Sequence, residues 1–266
     1  MSDVSDVQKL KKPFSAIPWI MTQSWEHLLF AHWPVAPDSI RKMIPSELEI
    51  DTYDGQAWIG IIPFLMSGVR LRALPPIPGM TMFPELNVRT YVKTNQGSGV
   101  YFITLDASNP LIVRIARLWY RLPYYDADLT FLQQRESIRF TGRRLPFMTA
   151  AETFHGVYEP SSDPFVPREG TLEHWLTERY LFYCSHRNCI YQGEVYHEPW
   201  KLQRADIRIY GNTMTQSLHL HLSETPAVTY YARGVQSVVG PIRRFRPFSN
   251  TGKEETKILS PLGSRS

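Results

Sequence analysis

The sequence predicts a mainly β single domain carrying a few short helices. Three observations point there. The 266 residues hold 21 prolines against 15 glycines, a turn-rich balance that argues against a helical bundle. Several stretches alternate apolar and polar residues with the two-residue period of a strand. Two such stretches are broken by compact turn signals, as in hairpins.

Taken in order, residues 1–13 are polar and read as a mobile leader, and the apolar chain begins near Trp19. "PDSIRKMIP" at 37–45 reads as a short helix with Asp38 as its cap and Pro45 as its stop. "LEIDTYDGQAWIGIIPFLM" at 48–66 reads as a hairpin turning at Asp54-Gly55. Pro63 pushes its second strand towards an edge or a bulge. Residues 72–85 read as an irregular proline-rich loop.

"ELNVRTYVKTNQGSGVYFITLDAS" at 85–108 reads as a second hairpin. Its first strand puts Leu86, Val88, Thr90 and Val92 on one face and Glu85, Asn87, Arg89 and Tyr91 on the other. "PLIVRIARLWYR" at 110–121 reads as a helix with Leu111, Ile115 and Leu118 as its apolar stripe and Arg114, Arg117 and Arg121 as its basic one. Strand-like alternation returns over 127–158, a proline-rich loop follows at 161–170, and a short helix starts at Thr171. Further strands are expected at 189–196, 205–210, 216–222 and 227–233. With no internal repeat or linker, residues 14–246 read as one domain and 247–266 as a second mobile tail.

Composition narrows the function. The net charge of +4 is mild. Its densest basic run, "IRRFR" at 242–246, reads as a solvated edge, so no nucleic-acid partner is expected. No apolar run approaches the ~18 residues of a membrane span, so no membrane partner is expected. Two cysteines and no apolar leader segment fit a reducing, cytoplasmic setting.

The polar face Glu85, Asn87, Arg89, Tyr91 is the leading candidate site. A carboxylate and a guanidinium on one strand face could pair with each other and orient a carbonyl or carboxylate ligand. The competing reading is the wet side of a half-exposed sheet. His219 and His221 share a strand face in this reading but lack a third metal ligand. Cys184, His186 and Cys189 lack a second cysteine pair. No metal and no cofactor is expected. His32 and His197 each sit near a tryptophan and a proline, at a pocket wall or in a core corner. Glu178-Arg179 reads as an ordinary adjacent pair, and no nucleotide-binding or nucleophile-elbow motif occurs.

Several stretches recur together in order: "HWPVAPDSIRKMIPSELEIDTYDGQAWIGIIPFLM", "FPELNVRTYV", "GSGVYFITLDAS", "PYYDADL", "LTERYLFYC" and "VYHEPWKLQ". As a set they resemble the YqjF-like family of uncharacterised bacterial proteins, which is distantly similar to the acetoacetate decarboxylase fold. That resemblance implies a cone-shaped antiparallel β-barrel with a central pocket. It places Glu85 where the decarboxylases carry a pocket glutamate, and Tyr124-Tyr125 where they carry a lysine pair that forms a Schiff base. A phenol forms no imine with a ketone, so the resemblance implies a pocket without that chemistry.

The expected function is therefore a pocket for a small, partly apolar carbonyl or carboxylate compound. Glu85, Asn87, Arg89, Tyr124 and Tyr125 are its candidate ligand-binding residues. The alternatives are a non-imine lyase, isomerase or hydratase using Glu85 and Tyr125, and an interaction module. The sequence also allows a homo-oligomer.

Overall fold

A computed structural model of the chain describes residues 18–73, 82–145 and 152–246. Its elements run β1 (Met21–Val35), α1 (Pro37–Ile40), β2 (Glu49–Ile50), β3 (Ala57–Leu71), β4 (Met82–Thr94), β5 (Gly97–Ala107) and α2 (Pro110–Ile115). A π-helical turn, Ala116–Tyr120, extends α2. Then come β6 (Tyr124–Gln134), β7 (Ser137–Arg144), β8 (Thr153–Pro160), α3 (Leu172–Thr177), β9 (Leu181–His186), β10 (Cys189–His197), β11 (Leu202–Asn212), β12 (Val228–Val239) and β13 (Arg243–Arg244).

All of these strands belong to one sheet, ordered β13-β10-β9-β5-β6-β7-β8-β11-β12-β1-β3-β4-β2. Two further pairings, β4–β5 and β10–β12, close it on itself twice. One circuit passes through β6, β7, β8 and β11; the other passes through β9 and β10. The run β12-β1-β3-β4-β5 is common to both, so its strands are covered on two faces. Along β3, Ala57, Ile59 and Ile61 pack with Leu86, Val88, Phe140 and Phe154. The intervening Ile62, Phe64 and Met66 pack with Phe30, Leu105 and Tyr124. The two-residue strand period thus sends alternate side chains into separate cores.

Several expectations need correction. The sheet is not wholly antiparallel: β5 runs parallel to β6 and to β9. A parallel pair needs a crossover, and α2 with its π turn supplies the one between β5 and β6. Asp54 and Gly55 have φ of 49° and 76°, as a type I′ turn demands. Yet the hairpin there is a single bridge, Tyr53 to Gln56, because β2 turns away to pair with β4. Of the two settings expected for Pro63, an edge or a bulge, the second fits: it lies in an interior strand opposite the register break in β1–β3 pairing between Glu26 and Ala31. A residue without an N–H fits where the ladder is broken.

Asp38 does not cap α1; Ala36 holds that position with no side-chain bond. The stripes assigned to 110–121 hold at Ile115, which packs against the core, and at the exposed Arg114 and Arg117, but not at Leu111 and Leu118. Ile112, Val113, Ala116 and Tyr120 are buried, whereas Leu111 and Leu118 are exposed. Residues 216–222 are not a strand: Gln216–Leu218 form a 3₁₀ turn, and His219 adopts φ 54°. The tails 1–13 and 247–266, and most of the proline-rich loop at 72–85, lie outside the described residues.

Candidate functional site

The smaller of the two circuits encloses a cavity of ≈ 140 Å³. Its walls are mostly aromatic and aliphatic: Trp25 from β1, Phe64 from β3, Phe102 from β5, Phe182 from β9, and Trp200. The buried face of α2 and its π turn closes one side with Ile112, Ala116 and Tyr120. A π turn re-aims the residues that follow it, and here it brings Tyr120 inward.

Polar groups enter this apolar space at few points. Glu85, Asn87 and Arg89 come from the inner face of β4, and Tyr124 comes from the start of β6. Glu85 is 2% exposed, so the wet-sheet reading does not hold. Tyr124 Oη donates to both Glu85 oxygens at 3.0 Å. Burial raises the Glu85 pKa to about 8; Asp106 adds to the rise, while Tyr124 and Asn87 oppose it by hydrogen bonding. The carboxyl is therefore protonated at neutral pH.

Arg89 does not pair with Glu85. They lie four residues apart along a strand whose β3–β4 register is unbroken from Glu85 to Arg89, so about 13 Å of extended backbone separates them. Arg89 donates instead to the Leu176 carbonyl at 3.2 Å and to Tyr91 Oη at 3.4 Å, and lies over the Phe30 ring. Tyr91 in turn donates to the same carbonyl at 2.8 Å and meets His32 Nε2 at 2.7 Å. His32 is thus a buried support behind Arg89. Burial and then Arg89 hold its pKa well below the ordinary range.

Tyr125 is separated from the cavity by strand alternation. Its ring is 38% exposed and lies under the Arg144 guanidinium at 4.3 Å. Arg144 clamps Asp106 at 2.6 and 2.8 Å, Thr104 at 2.8 Å, and also Glu152. Assigning Tyr125 to the ligand is therefore corrected: one of the two adjacent tyrosines faces inward, and it is Tyr124.

Three residues join the site that strand pattern did not assign to it. Arg179, read as half of an ordinary adjacent pair with Glu178, is 8% exposed and lines the cavity. It pairs with Asp51 at 2.7 Å and stacks on Trp175. His197 lines the same cavity beside Trp200. Tyr120 adds a buried phenol. Four polar atoms of these lining residues have no hydrogen-bond partner: Asn87 Oδ1, Arg89 Nε, Tyr120 Oη and Arg179 Nη2. Buried polar groups are ordinarily satisfied, so four orphans around one cavity call for an explanation.

None of the described cavity-lining residues is a lysine. Lys93 pairs at the surface with Glu49 at 2.9 Å, and Lys201 is exposed. Among the described residues no group of three or more His, Cys, Asp or Glu could hold a metal. His219 and His221 are exposed, and the buried Cys184 thiol is pushed up to about 12 by burial.

Residues 22–236 match the model of the DUF2071 family, described as an uncharacterized conserved protein. The chain belongs to the DUF2071 family. The uncharacterized protein YqjF of Bacillus subtilis (strain 168) is 42% identical over 227 residues, covering 85% of this chain and 93% of that one. Solved structures place the DUF2071 chain among acetoacetate decarboxylase-like folds. An acetoacetate decarboxylase aligns with TM-score 0.58 and 10% identity, over 93% of this chain and 99% of its own. The enduracididine biosynthesis enzyme MppR complexed with pyruvate aligns with TM-score 0.59 and 13% identity, over 87% and 92%. These likenesses show a shared fold. Among the described residues of this DUF2071 protein, no helix is long and apolar enough to cross a membrane.

Proposed function

We propose that the cavity binds a small, partly apolar compound carrying a carboxylate and a carbonyl, and that it does so without forming an imine. The observation that carries this reading is the pairing of unmatched charge with apolar walls. Arg89 and Arg179 both line the cavity, and Asp51 balances only Arg179. Among the described residues, Arg89 Nε and Arg179 Nη2 are buried guanidinium atoms without a hydrogen-bond partner. A ligand carboxylate would supply the missing acceptor and the missing charge. Glu85 and Arg89, four residues apart on one strand, have backbones ~13 Å apart, leaving room for a compact ligand between them.

At the other pole the protonated Glu85 is a hydrogen-bond donor, suited to a ligand carbonyl. The absence of lysine from the described lining removes the electron sink of Schiff-base decarboxylation. The two structural relatives named above share the fold alone with this chain, and neither assigns a ligand here.

An enzymatic reading is favoured by one observation: a cavity carboxyl with a pKa of about 8 is poised as a general acid near neutrality. Arg89 is not among the groups acting on Glu85, so it does not depress that value.

A thermal-shift panel of 2-oxo acids, aromatic acids, aldehydes and ketones tests the binding reading. A carboxylate-bearing carbonyl compound should raise the melting temperature of the wild type through mass action. Arg89→Met should lose that rise while remaining folded. No shift with any compound, from folded wild type, would remove the proposal.

A further inference from the structure

We propose that His197 is the proton acceptor of this cavity and that, with Glu85 as proton donor, it enolises a bound 2-oxo acid. This rests on the binding reading above and adds a reaction to it.

The tautomer of His197 is fixed by its surroundings. Nδ1 lies 2.7 Å from the Glu198 carbonyl oxygen. That oxygen only accepts, so Nδ1 carries the proton, and a neutral ring presents the Nε2 lone pair. Tyr180 stacks on the ring at 4.8 Å, and Trp200 and Trp25 flank it at 4.9 and 5.8 Å. The imidazole is 7% exposed and lines the same cavity as Glu85 and Arg89. An oriented imidazole acceptor in the cavity that holds the protonated Glu85 and the two guanidiniums is the group left without a role in binding alone.

The charged neighbours keep this base neutral. Burial lowers the His197 pKa and Arg89 lowers it further, against the opposing pull of Glu178 and of the Glu198 carbonyl. Glu85 faces Tyr124, Asn87 and Asp106, and burial keeps it protonated. A neutral base and a neutral acid therefore share one cavity, which is the pairing that proton transfer at a carbonyl compound requires.

The step balances without any oxidant. With the ligand carboxylate on Arg89 and Arg179, His197 Nε2 removes a proton from C3 of the 2-oxo acid. The C3–H electron pair becomes the C2=C3 bond, and the carbonyl π pair takes the Glu85 proton. The products are the enol, an imidazolium and a carboxylate, and the Tyr124 hydroxyl already donates to both oxygens of that carboxylate. Reversal restores all three groups. In D₂O the imidazolium exchanges its proton, so C3 gains deuterium on return.

Proton NMR of wild type with 3-methyl-2-oxobutanoate in D₂O reads this directly as loss of the C3–H signal. Thermal shift on the same samples reports binding separately. Exchange should exceed the protein-free rate, and His197→Gln and Glu85→Gln should each slow it by about 100-fold or more while the oxo acid still raises the melting temperature. The wild-type rate should rise through a pKa below the ordinary 6.5 of histidine and fall near 8. Binding with exchange at the protein-free rate would overturn the inference and leave the binding reading standing. Full exchange in either variant, or a rate flat from about pH 5 to about pH 9, would also overturn it. Neither binding nor exchange would overturn both.

Discussion

Tyr124 Oη sits 3.0 Å from each of the two Glu85 carboxyl oxygens, inside a cavity where both residues are buried. The phenol comes from β6 and the carboxyl from β4, which are not neighbours in the sheet; β5 lies between them. This bond joins the two polar features of the site and sets how each behaves.

The first consequence is a pH dependence of stability. The Glu85 pKa is about 8 folded against an ordinary 4.5, so between these values the folded state holds a proton that the unfolded state has lost. Stability from this group therefore falls as pH rises from about 4.5 and levels off above about 8. Glu85→Gln removes that penalty. Melting curves across this range should show the variant gaining on wild type with rising pH, by on the order of a few kcal/mol at the alkaline end. A constant difference would mean that Glu85 is ionised when folded.

The second concerns the two tyrosines. Tyr124→Phe removes the donor from a buried carboxyl and should cost about 1–3 kcal/mol. Because that bond lowers the Glu85 pKa, its loss should move the titration above 8, as read by carbon NMR of labelled glutamate. Tyr125→Phe keeps the ring under Arg144 and should leave ligand binding unchanged. A binding loss in the second variant equal to that in the first would reverse the assignment.

Arg144 supports the site from behind. It holds Asp106 through two bonds at 2.6 and 2.8 Å, with Glu152 on its other nitrogen. Arg144→Met leaves two buried carboxylates without their cation and should destabilise the fold by about 3–5 kcal/mol. Chemical denaturation measures this. A loss under ~1 kcal/mol would place the cluster among surface-type ion pairs.

Cavity size depends on one glycine. Gly193 pairs across β9–β10 with Phe182, and a Cβ there would come within 2.6 Å of the ring at Cε1. Gly193→Ala should displace Phe182, which lines the cavity, and lower affinity for the larger ligands by about tenfold while smaller ones are retained. Affinities measured across a homologous series of 2-oxo acids would show the cut-off.

The legible part of this site was the part carried by one strand. The alternation through Glu85, Asn87 and Arg89 is a period-two signal, and it places all three on the cavity wall. The same period separates Tyr124 from Tyr125, a distinction that reading them as a pair overlooked. The Glu85–Arg89 pairing failed because a shared strand face does not bring residues four apart together, and Arg89 finds the Leu176 carbonyl and Tyr91, contacts that alternation cannot announce. At Leu118 the helix stripe failed because the π turn Ala116–Tyr120 departs from the 3.6-residue period on which the stripe was drawn. Arg179 and His197 reach the cavity through β9 and β10, which join the sheet by long-range pairing with β5 and β12. No local spacing announces that. The stretches "LTERYLFYC" and "VYHEPWKLQ" contained the signal, since both belong to the set that carries the family resemblance. The fold class rested on many strands at once and tolerated the misread ones.

The central claim is that Arg89 and Arg179 receive a ligand carboxylate in an otherwise apolar cavity. Calorimetric titration of wild type and Arg89→Met, each with a branched 2-oxo acid and with the aldehyde that lacks its carboxylate, tests it most directly. Wild type should bind the acid at least about tenfold more tightly than the aldehyde, and Arg89→Met should abolish that preference. Equal affinity of wild type for the two compounds, or a preference that survives in Arg89→Met, would contradict it.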